Sequence, residues 1–265
     1  MSTVEDDGDL ELNLDSVFPE PPRPPTPDPT ISVYHREGGK GEVKIRLVGS
    51  HPLWGHYLWN SALCIASHLD QHAKELCQDR CVLELGAGGG LPSIIAALNG
   101  ARKVVITDYP DTALVENMNR NVDENISKSQ IREHVSIEGY IWGTPVKPLL
   151  NALPTSKDMY DLIILSDLIF NHSQHDALLK TCEESLTPTR QSGEMGEAKD
   201  PCVLVFYTHH RPHLAHRDMG FFEKAKDRGW SCVKIVEKTY PPMFPDDPGA
   251  EEVRSTVHGW KLTKS

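Results

Sequence analysis

The 265-residue chain lacks the marks of several common protein classes. None of its six cysteines (Cys64, Cys77, Cys81, Cys182, Cys202 and Cys232) forms a CxxC pair, so a zinc ribbon is not indicated and reduced thiols are expected. No apolar run approaches the roughly 20 residues needed to cross a bilayer, so no membrane role is expected. Basic residues are in deficit: 27 Lys and Arg stand against 38 Asp and Glu, a net charge of −11. General nucleic-acid binding needs a basic footprint, and direct nucleic-acid contact is therefore not expected. There is no internal repeat. The acidic, Pro-rich start fits neither a signal peptide nor a transit peptide. The length suits one large α/β domain and is too short for two of ordinary size.

What is present divides into a tail and a patterned body. Residues 1–30 hold eight acids and one base, so −7 of the −11 belongs to them, and seven prolines stand between Pro19 and Pro29. Such a stretch buries too little apolar surface to offset its ordering entropy, and disorder is expected over 1–30. Two alternating runs, Ile31–Arg36 and Glu42–Val48, flank Gly38-Gly39-Lys40-Gly41 and predict a β-hairpin. Leu58, Ala62, Ile65, Ala66 and Leu69 then fall on one face of a helix.

From Cys81 onward, short β-branched runs alternate with helical patterns. Strands are expected at Cys81–Leu85, Lys103–Thr107, Val135–Gly139, Asp161–Ser166, Cys202–Tyr207, Ser231–Glu237 and Val253–Leu262. Helices are expected at Pro92–Leu98, Thr112–Asn125 and His172–Ser185, with Phe221–Arg228 inside another, and residues 187–200 read as a loop insertion. The alternation implies a mostly parallel sheet with helices on both faces. No helical pattern joins the last two strands, so they can pair antiparallel.

The strongest local pattern is Val82-Leu83-Glu84-Leu85-Gly86-Ala87-Gly88-Gly89-Gly90-Leu91-Pro92, a buried strand, a glycine turn and a helix start. A dinucleotide fingerprint would need its third glycine at position 91, which is Leu91, and no Walker lysine follows. An acid just ahead of the glycines, Glu84, suits a cationic ligand better than a pyrophosphate. This favours the sulfonium and ammonium of S-adenosylmethionine. Asp108 closes the next strand, where an acid accepts from ribose hydroxyls in nucleotide-binding α/β folds. It could equally cap a helix.

Together with Trp54-Gly-His-Tyr-Leu-Trp59-Asn60, Thr107-Asp108-Tyr109-Pro110, Trp142-Gly143, Leu165-Ser-Asp-Leu-Ile-Phe-Asn-His172 and Tyr207-Thr-His-His-Arg-Pro212, these segments resemble the Rossmann-like seven-stranded class I methyltransferases. Within them the chain is most similar to the fungal elongation factor methyltransferase 7 family, from about Val33 onward. The resemblance implies that Trp59, Gly86, Ala87, Gly88, Asp108, Trp142 and Ser166 bind S-adenosylmethionine alongside Glu84. It implies that Asp167 and Phe170, in a D-x-x-F pattern, lie beside the target amine. The implied substrate is translation elongation factor 1-alpha, at its N-terminal glycine and adjacent lysine, and a cytoplasmic monomer is expected. Related enzymes often carry Asp where this chain has Glu84.

The residues alone leave alternatives open. Trp142 could offer its face to a purine or simply pack, and Asp167 could face an ammonium or cap a helix. His172, His175, His209, His210 and His213 lack the spacing of a metal set, and no metal is expected. A small-molecule methyltransferase acting on a pyridine such as nicotinamide, and a catalytically silent fold used for binding, remain as other readings.

Overall fold

A computed structural model describes residues 27–127, 129–155, 159–188 and 200–264. Most of the tail expected to be disordered, residues 1–26, lies outside these, as do residues 189–199 of the expected loop insertion. Strands β1 (Thr30–His35) and β2 (Glu42–Leu47) pair antiparallel as the expected hairpin. The main sheet holds β3 (Cys81–Leu85), β4 (Lys103–Asp108), β5 (Val135–Gly139), β6 (Leu162–Ser166), β7 (Cys202–Thr208), β8 (Trp230–Thr239) and β9 (Thr256–Lys264). Their order is β5-β4-β3-β6-β7-β9-β8. β3 to β7 are parallel, and β9 runs antiparallel to both β7 and β8. Among the described residues no helix is long and apolar enough to cross a membrane.

The sheet separates two cores because side chains alternate across each strand. Val82, Val104, Ile106, Leu162, Ile164, Leu204 and Phe206 face one side. They meet α1 (Asn60–Gln71), α2 (Leu91–Leu98) and α3 (Thr112–Asn125) through Ile65, Leu69, Ile94, Ile95, Met118 and Val122. Leu83, Leu85, Val105, Ile163, Leu165 and Val205 face the other, packing on α4 (His175–Ser185) and α5 (Ala215–Asp227). Both faces of β3, β6 and β7 are thus covered, which is why these strands read as continuous apolar runs.

The hairpin belongs to the first core through Val43, Ile45 and Leu47. Its outer edge is closed by amides. Asn117, Asn121 and Asn125 stand four apart on α3, so they share one face. Asn125 and Asn121 accept from the Lys44 and Arg46 N–H groups (both 2.8 Å) and donate to the matching carbonyls (2.7 and 2.9 Å). Asn117 donates to the Arg46 carbonyl and accepts from its guanidinium. Side-chain amides therefore stand in for a third strand and leave no bare edge there.

A few sequence expectations shift. The segment before β9 folds as a helical turn, Glu251–Ser255, so Val253 is not in the strand. The helix expected from His172 starts with a 3-10 turn, His172–Gln174, before α4. Such turns often open helices.

Candidate active site

The strand order reverses between β3 and β6, so the loops after these strands diverge and leave a crevice at their carboxyl ends. A cavity of about 360 Å³ occupies it. Gly86 (φ 61°), Gly88 (φ 54°) and Gly90 (φ 76°) turn the chain from β3 into α2. A Cβ at Gly86 would come within 2.9 Å of the Trp142 ring and 2.7 Å of Leu168. That glycine is required both by its backbone and by the closeness of its neighbours. Nothing lies within 4 Å of a Cβ placed on Gly88, whose Cα faces open space. Gly89 has a different role: a Cβ there would meet Ile45 of the hairpin at 2.5 Å.

Asp108, at the end of β4, accepts from the Gly88 N–H and the Tyr109 N–H, both at 2.7 Å. Burial pushes its carboxyl pKa up, and the two N–H groups offset part of that. The helix-capping role falls instead to Asp111, which accepts from Ala113 N–H and Leu114 N–H. Trp142 is set by the turn at Gly143 (φ 78°), whose N–H donates to Thr181 on α4. Ser166 lines the cavity at the end of β6, and among the described residues its buried Oγ has no hydrogen-bond partner.

Asp167 carries an unusual backbone for a non-glycine residue, φ 58°, a conformation that Asp tolerates better than most. It does not cap a helix. Its carboxylate accepts from the Ser61 hydroxyl (3.0 Å), the Thr208 N–H (3.5 Å) and His210 Nε2 (3.0 and 3.1 Å). Burial presses the charged His210 ring toward a lower pKa, but the Asp167 carboxylate outweighs this and holds it above the ordinary value. Phe170, three residues on, is 43% exposed and lines the same cavity.

Of the ten residues expected at the site, Trp59, Gly86, Ala87, Gly88, Asp108, Trp142, Ser166, Asp167 and Phe170 line this cavity. Glu84 does not. It is fully buried, and its carboxylate accepts from the Ser93 N–H in α2 at 3.0 Å. The reason is strand parity: Glu84 points to the face opposite Leu83 and Leu85, beneath the helix rather than into the crevice. Burial, with Asp108 nearby, pushes its pKa up to about 8.

Sequence reasoning missed other lining groups. Tyr109 and Ile141 are 50% and 46% exposed where they line the cavity, and only their adjacency to Asp108 and Trp142 could have flagged them. Trp54, with φ 63° and 44% exposure, stacks toward His56 and Tyr57 in an aromatic loop before α1. The histidines disperse: His175 sits on the Ile169 carbonyl, His172 and His209 on Asp218, and His210 on Asp167.

The chain matches the family model for lysine methyltransferases over residues 43–227. It is 46% identical to the protein N-terminal and lysine N-methyltransferase EFM7 of Cryptococcus neoformans, across 94% of this chain and 88% of that one. It is 44% identical to the efm7 protein of Schizosaccharomyces pombe, across 93% and 94%. The fold is similar to the crystal structure of Pyrococcus horikoshii TYW2 in complex with MeSAdo, with TM-score 0.52 at 18% identity, covering 90% of this chain and 72% of that one. A family match over most of the chain, and fungal relatives sharing over two-fifths of their residues across most of both chains, agree on one assignment: the chain belongs to the lysine methyltransferase family, in the branch of the fungal EFM7 enzymes.

Proposed function

We propose that this enzyme transfers a methyl group from S-adenosylmethionine to amines of a protein, namely the N-terminal glycine and adjacent lysine of translation elongation factor 1-alpha. The observation that carries the reading is one cavity with two kinds of wall. One kind is the glycine loop, Asp108, Trp142 and the Ser166 hydroxyl, unpartnered among the described residues; the other is Asp167 and the exposed ring of Phe170. The relatives are named as protein N-terminal and lysine N-methyltransferases, which supports the class of acceptor.

The first wall fits the cofactor. Gly86 and Gly88 leave room where a Cβ would intrude or cover, Asp108 presents a carboxylate for ribose hydroxyls, and Trp142 offers a flat apolar ring. The bound cofactor supplies an already activated methyl group, so no side chain need act as nucleophile. The protein's own task is to hold an amine in line, keep water out and manage its proton. Trp54, Trp59 and Phe170 supply apolar walls, and the Asp167 carboxylate attracts and orients an ammonium. An α-amine, with pKa about 7.7–8, is partly neutral at cellular pH, whereas a lysine near 10.4 must shed a proton first. A basic acceptor terminus suits a chain carrying −11.

The same reading takes residues 31–265 as one methyltransferase domain behind a tail of 1–30, and the protein as a cytoplasmic monomer. The test is methyl transfer from radiolabelled donor into purified elongation factor 1-alpha, with its N-terminal glycine free or acetylated, followed by mass spectrometry. Label at the first two residues is expected. Label only in small pyridines would overturn the proposal.

A further inference from the structure

We propose that His210, oriented by Asp167, is the proton acceptor for the substrate ammonium, and that a second cavity is the path by which the acceptor chain reaches it. This rests on the reading that the acceptor is a protein amine. The second cavity, of about 590 Å³, shares Trp54, Trp59, Phe170 and Asn171 with the first. Asp167 lines the first cavity and His210 the second, so their hydrogen bond bridges the shared wall. Trp59 packs edge-on against the imidazole, ring centres 4.9 Å apart.

The tautomer of the neutral ring follows from the partner. A carboxylate only accepts, so Nε2 carries the hydrogen that Asp167 receives, and in the neutral ring Nδ1 holds the lone pair. Among the described residues nothing bonds Nδ1. Asp167 is held in place by Ser61 and the Thr208 N–H, and its side chain is only 3% exposed, so the ring cannot easily reorient. The charged groups around His210 are Asp167 beyond β6, Arg211 beside it and Asp218 on α5, with His172, Arg217 and Asp247 across the cavity. Asp218 is itself engaged by His172 and His209, both at 2.6 Å.

The step balances simply. The ammonium gives one proton to Nδ1, the nitrogen keeps the electron pair that will form the new bond to carbon, and the imidazolium formed is stabilised by Asp167. The proton later leaves to water through the second cavity.

The experiment compares wild type with His210→Gln and His210→Asn on an N-terminal peptide at pH about 7 and about 9.5, with binding of S-adenosylhomocysteine by calorimetry and melting temperature measured on each. At pH 7 the variants should lose up to about tenfold in kcat/KM, the limit set by the roughly one-tenth of an α-amine that is already neutral there. At pH 9.5, where solvent has already deprotonated the α-amine, the loss should vanish. Ring-proton NMR of the free wild-type protein should show His210 titrating above its ordinary range, and Asp167→Asn should lower that midpoint. A loss unchanged by pH, no loss at all, or a His210 midpoint indifferent to Asp167→Asn would each overturn the proposal. Should wild type itself methylate no protein amine at either pH, the functional reading falls, and this failure is distinct because it appears without any mutation.

Discussion

At the scale of single residues, the two carboxylates Asp108 and Asp167 divide the work, and their substitution should separate binding from transfer. Asp108→Ala removes a charged acceptor from the cofactor wall. Each charge-assisted hydrogen bond is worth about 1.5–3 kcal/mol, so calorimetry should show S-adenosylmethionine binding weakened by tenfold or more. Asp167→Asn keeps a residue that tolerates the φ of 58° but loses the charge. Cofactor affinity should stay within a few-fold while turnover falls about a hundredfold, as misplacement of a reactant by about 1 Å can cost. Normal turnover in a variant with a lowered melting temperature would remove Asp167 from the reaction. The glycine loop and Asp108 were legible because glycine turns and strand ends have sequence patterns, whereas Trp59, Trp142, Ser166, Asp167 and Phe170 came from the family resemblance. The place of Glu84 was not legible, because its adjacency to the glycines said nothing about which face of β3 it occupies.

At the scale of elements, the strand–helix alternation was readable from Cys81 onward because buried parallel strands and amphipathic helices have distinct periods. The hairpin was readable from its glycines. What docks the hairpin was not: Asn117, Asn121 and Asn125 look like polar surface in a helix pattern, yet they pair with the β2 backbone. Tertiary pairing of this kind leaves no local trace. It does predict an order of effects. Asn121 is fully buried and bonds Arg46 twice and the Gly89 carbonyl once, whereas the Asn125 contacts to Lys44 are exposed. Asn121→Ala should cost about 1–3 kcal/mol through unpaired buried groups, read from denaturant melts, and Asn125→Ala distinctly less. The loop joining β8 and β9 was read only as lacking a helical pattern; in the fold it carries Phe244 onto Tyr57 and Trp59 and so walls the second cavity.

At the scale of the whole molecule, buried titratable groups set opposite slopes of stability with pH. Glu84 holds its proton up to about 8 in the folded chain against an ordinary 4.5, so its contribution is full below 4.5 and is lost as pH rises through about 8. Burial lowers His68 and His258 to about 4 from 6.5, so theirs is present above 6.5 and lost as pH falls through about 4. Denaturant melts should therefore show wild-type stability falling between about pH 6.5 and 8, where Glu84 acts without the opposing histidines, and Glu84→Gln should flatten that limb. Removing residues 1–26 should leave the melting temperature nearly unchanged, as scanning calorimetry would show, because their composition supplies so little apolar surface. The contact of Gly89 with Ile45, and the Asn121 bridge between Arg46 and the Gly89 carbonyl, carry a last consequence. Hairpin and glycine loop, far apart in sequence, cannot fluctuate separately: an opening of one strips the other of its packing. Amides of 43–47 and 86–90 should therefore exchange with solvent deuterium at one shared opening free energy, as a single cooperative unit. A ligand that protects the loop should slow exchange in a hairpin it never touches.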